Sequence, residues 1–188
     1  MSRTPEPTSG HGRYRVWDPL LRLLHWLLLT TLVASWFTRH SPGRIHEWVG
    51  YAALGVVAVR LLWGFVGPRH ARFADFLRSP STTWRYLAAA LSGDAARYLG
   101  HNPLGGWMTV VLLVTVALIG VSGWLYTTDR FWGIAWVGNT HLWLTYVLMG
   151  LVALHLLGVL WTSIKTRENL VAAMVHGRKA APRHGDID

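Results

Sequence analysis

The sequence predicts an all-α membrane protein, a bundle of four transmembrane helices, and three observations carry that prediction. Of 188 residues, 52% are hydrophobic and only 14% charged, where a soluble domain has about 25% charged. Two stretches, Tyr98 to Thr128 (31 residues) and Phe131 to Ile164 (34 residues), hold no Asp, Glu, Lys or Arg. About 20 apolar residues suffice to cross a bilayer as a helix. The basic residues, which give a net charge of +9, flank the apolar runs. Their natural counterpart is the anionic lipid of a membrane, and no nucleic-acid partner is expected.

The elements follow in order. Residues 1–19 form a polar segment, and Met1 to Asp18 has no apolar core ahead of a small-residue cleavage site, so no cleavable signal is expected. The first span is expected over about 20–37, followed by a turn at Ser41-Pro42-Gly43. The second, about 47–66, is interrupted by Arg60 alone once past Glu47. A polar stretch, residues 67–103, contains a helix predicted from Ser81 through Tyr98, which either lies along the membrane surface, with Arg85 and Arg97 near headgroups, or packs on protein. The third span covers about 104–127. Asp129, Arg130, Gly133 and Gly138 mark a short connection to the fourth, about 140–163, and the basic tail, residues 164–188, is expected to fray beyond Lys179.

Charge counting orients these spans. Thirteen Lys and Arg fall in the N-terminal segment, the 67–103 loop and the tail, against three (Arg39, Arg44, Arg130) in the short connections. The positive-inside rule puts both termini in the cytoplasm, and four spans satisfy it.

The chain has 10 His and no Cys, which excludes disulfides, covalently attached c-type haem and all-cysteine metal sites. Four histidines lie in or beside the spans: His25, His46, His141 and His155. The last two are 14 residues apart, on the same helix face and roughly 21 Å apart along the axis. That separation is too great for one metal and suits two stacked cofactors. Depth pairs His25 with His155 at the inner level and His46 with His141 at the outer level. Two bis-histidine sites suit two non-covalent b-type haems. A core histidine bound to a carbonyl is the alternative for any one of them. His40 competes with His46 for the outer level, but it precedes Ser41-Pro42, where the helix ends. His11, His70, His176 and His184 are expected to be solvated, and His101 to be a capping or surface group.

Arg60 shares a face with His46 but sits 14 residues deeper, at the inner level. A buried guanidinium needs an anion, and a haem propionate matches its fork. Arg22, three residues before His25, reaches the same level or else snorkels to headgroups. Gly50, Gly120 and Gly123 allow a macrocycle or a neighbouring helix to approach. The tryptophans, near span ends, read as interfacial belts. Met108 and Met149 could ligate iron, but no unpaired histidine requires them.

These residues resemble those of the bacterial cytochrome b-561 and nickel–iron hydrogenase b-type cytochrome family. The likeness rests on Val16-Trp17-Asp18-Pro19 with Arg22 and His25-Trp26, then His46-Glu47-Trp48-Val49-Gly50 with Arg60. It continues through Gly100-His101-Asn102-Pro103-Leu104-Gly105-Gly106, the His141/His155 pair, and Glu168-Asn169-Leu170 before Gly177-Arg178-Lys179. The resemblance implies a four-helix cytochrome with two b haems that exchanges electrons with quinone or a partner redox protein, alone or as the anchor of a complex.

The leading expectation is a carrier of single electrons across the membrane. A stand-alone oxidoreductase that oxidises a small species such as superoxide at the outer face and reduces quinone would need a basic pocket there, and Arg39, Arg44 and Arg130 are the cations available. A haem-free metal transporter would need carboxylates converging inside the membrane, where the sequence offers histidines and Arg60.

Overall fold

A computed structural model describes residues 13–42, 44–182 and 184–187; His11 and most of the N-terminal polar segment lie outside them. Four helices are long and apolar enough to span a membrane: α1 (Pro19–Thr38), α2 (Ile45–Val66), α5 (Pro103–Tyr126) and α6 (Ala135–Thr166). Between α2 and α5 come a 3-10 turn, α3 (Phe73–Phe76) and α4 (Pro80–Ser92). After α6 come α7 (Leu170–His176) and strand β2 (Arg178–Ala180), which pairs antiparallel with β1 (Arg13–Arg15).

Local chemistry starts these helices. Asp18, Ser79 and Asn102 each cap a helix whose next residue is proline, and each side-chain oxygen accepts a backbone N–H in the first turn. The helix expected to reach Tyr98 stops at Ser92, because Gly93 takes a left-handed conformation (φ 90°). Gly138 does not break α6, which starts at Ala135 just after Gly133 (φ 73°). At 32 residues it is roughly 48 Å long, more than the about 30 Å of a hydrocarbon core, so an end projects into water.

Neighbouring spans pack in the order α1, α2, α5, α6, leaving α1 and α6 almost out of contact. The central seam buries Val57, Leu113, Val116 and Leu148. Outward faces stay apolar and uncovered, as Leu62, Val114, Leu157 and Leu160 show. In water such a surface would aggregate; in lipid it is the favoured one.

The tail is built into the fold rather than frayed at Lys179. Arg97, placed near headgroups only in the membrane-surface reading of this loop, is buried in an ion-pair trio with Glu168 (2.5 Å) and Asp186. Its Nη2 also donates to the Ala180 carbonyl, whose own N–H donates to Glu168. Leu99 and Ile187 join backbones nearby. Gly177 closes the other side: its carbonyl accepts from Val16 and Trp17 N–H. A Cβ there would stand 2.7 Å from the Trp17 carbonyl, and φ is +80°, so only glycine fits. These contacts make a lid over the end of the bundle that carries both termini, called the basic end below.

Candidate functional site

Away from the basic end, His46 on α2 and His141 on α6 face each other with ring centres 6.2 Å apart and planes at 86°. Each ring is fixed from behind. His46 Nδ1–H donates to the Ser35 carbonyl at 3.0 Å, and His141 Nδ1–H donates to the Ile119 carbonyl at 3.0 Å, with Ser122 Oγ at 3.3 Å. A carbonyl can only accept, so Nδ1 carries the proton, and in the neutral ring the lone pair is on Nε2. Gly123 makes room for this arrangement, since a Cβ there would lie 3.1 Å from the His141 ring. Gly50 has open space where a Cβ would point, whereas Gly120 is filled by Leu54 and serves helix packing. His40 is exposed beyond the end of α1 and accepts from Arg39 Nε at 3.1 Å, so it does not face His141.

Toward the basic end, His25 on α1 and His155 on α6 are both half-buried and within electrostatic reach of each other across the loosely packed α1–α6 seam. Arg60 lies deeper in the chain than either, only 5% exposed. Neither Nη1 nor Nη2 of its guanidinium has a hydrogen-bond partner. Phe73 covers it at 5.1 Å, and Asp18 is the acidic group whose charge it feels. Arg22 donates from Nη1 to the Val175 carbonyl at 2.5 Å, while its Nε is buried without a partner. That contact anchors α7 through one of the guanidinium nitrogens.

His101 departs most from expectation. Asn102 does the capping, and His101 is clamped between Trp17 (4.7 Å) and Phe76 (4.6 Å). Burial, with the Arg60 and Lys179 charges nearby, pushes its imidazole down to about 3, so it is neutral at ordinary pH. Lys179 is itself buried over Trp17 and donates to the Tyr98 and Gly100 carbonyls. Burial lowers its ammonium to about 8. The sequence signal for both was present, in the motifs around residues 100 and 177, but their burial depends on contacts between chain ends. His70 is also not simply solvated: it packs edge-on against Tyr14 at 6.5 Å, and His176 Nδ1 accepts from Arg178 N–H.

Among the described residues, no three His, Asp, Glu or Cys side chains converge on a point where a bare metal ion could sit. His46 and His141 face each other ring to ring, and His25 and His155 lie within electrostatic reach of each other. At the far end, Arg44 is paired with Glu47, Arg39 lies over Trp36, and Arg130 over Phe131, so each of these cations already has a partner.

A family profile described as prokaryotic cytochrome b561 matches residues 16–177, nearly the whole chain. Searches of curated proteins and of solved structures return no match. The matched region holds all four apolar helices and both histidine pairs. The chain therefore belongs to the prokaryotic cytochrome b561 family, a multi-pass bacterial membrane cytochrome of the b type with a part in electron transfer.

Proposed function

We propose that the chain is a transmembrane carrier of single electrons with two b haems, one ligated by His25 and His155 and the other by His46 and His141. In this reading both termini are cytoplasmic, the chain sits in the bacterial inner membrane as one 20–163 helical domain with a polar head and basic tail, and quinone or a redox partner exchanges electrons with it. The observation that carries the reading is the His46–His141 pair. An iron bonded to two imidazole nitrogens at about 2.0 Å each, as imidazole binds metals, needs ring centres about 6 Å apart. The rings stand 6.2 Å apart with both Nδ1 protons turned away. Such backing hydrogen bonds set the tautomer and raise the basicity of a ligating histidine.

When bound, each haem supplies one-electron redox chemistry. The protein's part is to hold, orient and tune. Arg60, with both terminal nitrogens unpartnered and buried, is set to take a carboxylate in its fork, as the inner haem's propionate would offer. The engaged state of Arg39, Arg44 and Arg130 gives no support to an outer site that collects small anions. Hence the carrier reading is preferred to the superoxide-linked one.

Proteoliposomes holding an impermeant oxidant inside and a reductant outside test the function. Haem-loaded protein is expected to oxidise the external reductant at the expense of the trapped oxidant, and no transfer above empty vesicles would contradict the reading. Arg60→Gln tests the tuning. A unit charge at about 10 Å and an effective dielectric of about 20 is worth about 1.7 kcal/mol, or roughly 70 mV for one electron. Losing that cation disfavours the reduced haem, so redox titration should find the inner potential tens of millivolts lower. Arg60→Lys should recover part of the shift, and an unchanged inner potential would put Arg60 in packing.

A further inference from the structure

Of the four spans, α6 is the least covered by protein, and two exposed tryptophans mark its depth in the membrane. Trp143 and Trp161 stand 18 residues apart, roughly 27 Å along the axis. Tryptophan favours the two membrane interfaces, and the spacing matches a hydrocarbon core of about 30 Å. Trp161 therefore lies at the interface on the basic end. An open groove of about 450 Å³ crosses that level, within the size range of small-molecule sites. Leu156, Val159 and Leu160 line its hydrocarbon half, and Ile164 and Val171 carry the apolar wall further. Its polar end is made by Ser163, Arg167, Glu168 and Asn169.

The hydrogen-bond accounts of that polar end leave donors over. Arg167 is the one non-glycine among the described residues with a positive φ (54°). It closes α6 in the left-handed conformation usually given to glycine or asparagine, at a cost in backbone energy. Its guanidinium is exposed and has no partner among the described residues. Ser163 Oγ accepts from Leu170 N–H at 3.3 Å, and Asn169 Oδ1 accepts from Ala172 N–H at 2.8 Å. The hydroxyl hydrogen of one and the amide NH2 of the other are left to donate. Glu168 brings no free negative charge, because Arg97 at 2.5 Å and the Ala180 N–H hold its carboxylate. Lys165 is turned to another face of the helix, over Trp161. The groove thus has an apolar half inside the hydrocarbon and a cationic, donor-rich half at headgroup depth.

We propose that this groove is a binding site for one anionic glycerophospholipid, with an acyl chain along Leu156, Val159 and Leu160 and the phosphate against Arg167, Ser163 and Asn169. A phosphodiester only accepts hydrogen bonds and carries one negative charge, which is what the polar end lacks. The guanidinium fork matches its two free oxygens. A zwitterionic headgroup brings a cation of its own, and no uncommitted carboxylate in the groove answers it. A quinone is uncharged and would leave Arg167 without a counter-ion. The groove is also centred roughly 110° round α6 from His155, so its occupant faces lipid and not the histidine pairs. The site is independent of how those pairs hold haem.

The test uses purified, haem-loaded protein in phosphatidylcholine vesicles containing a trace of phosphatidylglycerol with a photoactivatable acyl chain, and labelled peptides are mapped by mass spectrometry. Label is expected to concentrate on residues 156–164 and to be competed by unlabelled phosphatidylglycerol but not by added phosphatidylcholine. Arg167→Gln should weaken that preference about fivefold, the effect of one cation at an anionic lipid surface. Arg167→Gly removes the cation and relaxes the φ of 54°. It should lose the preference equally while unfolding at no lower temperature, which separates lost charge from lost fold. Leu160→Trp fills the apolar half and should remove the label with Arg167 in place. Even labelling of all the outward apolar faces, competition by phosphatidylcholine as strong as by phosphatidylglycerol, or an unchanged preference in both Arg167 variants would overturn the site. Displacement of the label by a short-chain quinone would assign the groove to quinone. Cross-linking of α6 to α6 through the groove would assign it to a second copy, and either result overturns the proposal.

Discussion

His46→Ala and His141→Ala are each expected to remove one haem and leave the other low-spin, so that the haem content per chain falls by about half. In the proposed reading each ring would supply one ligand to the iron, and each is held at its Nδ1 by a carbonyl. Truncation removes the metal bond and leaves a void that neighbours fill only partly. Ser122 and Ser35 then lose the partner that oriented the site. His25→Ala and His155→Ala should remove the other haem instead. His40→Ala is the control: its ring is exposed and bonded to Arg39, and both haems should survive it. The check is the haem-to-protein ratio with the low-temperature visible spectrum of each variant. Loss of a haem in His40→Ala with both retained in His46→Ala would reverse the choice of outer ligand.

Arg97→Met is expected to release the lid at the basic end. Arg97, Glu168 and Asp186 are each about nine-tenths buried. The two carboxylates face one cation, and hydrogen bonds to both hold the Arg97 guanidinium charged against the cost of burial. Removing it leaves two buried negative charges facing each other. Breaking a buried pair costs about 3–5 kcal/mol, and the low end, about 3 kcal/mol, applies here because the trio lies where water can reach in. The loss should appear as protease cleavage within the tail and rapid amide exchange at Leu99 and Ile187, whose backbones pair through this region. Adding Glu168→Gln and Asp186→Asn should restore part of the protection. An Arg97→Met tail as resistant as wild type would show that the strand pairing and Gly177 contacts hold the lid without the ion pairs.

The spans were legible because hydropathy is a local property. A run of uncharged residues such as 131–164 is helical in lipid whatever the rest of the chain does. The His141/His155 spacing was legible for the same reason, since one helix fixes both depth and face. The lid was not. Arg97 looks like a headgroup ligand until Glu168 and Asp186, 71 and 89 residues away, are brought to it. The same holds for His101, which reads as a surface residue beside a helix cap until Trp17 and Phe76 close on it. The end of α4 was misjudged for a local reason: the apolar spacing continues to Tyr98, but Gly93 offers a left-handed stop. The contact of Arg22 with α7 was not legible because its partner is a main-chain carbonyl, which leaves no trace in side-chain pattern.

Two haems b per chain is the claim on which the electron path and the ligand pairs both depend. Pyridine haemochrome analysis of the purified protein, set against its mass by amino-acid analysis and read beside the oxidised and reduced visible spectra, measures it. The account predicts two non-covalent b haems per chain, both low-spin as two imidazole ligands require. One haem per chain, or a high-spin spectrum at full loading, would contradict it.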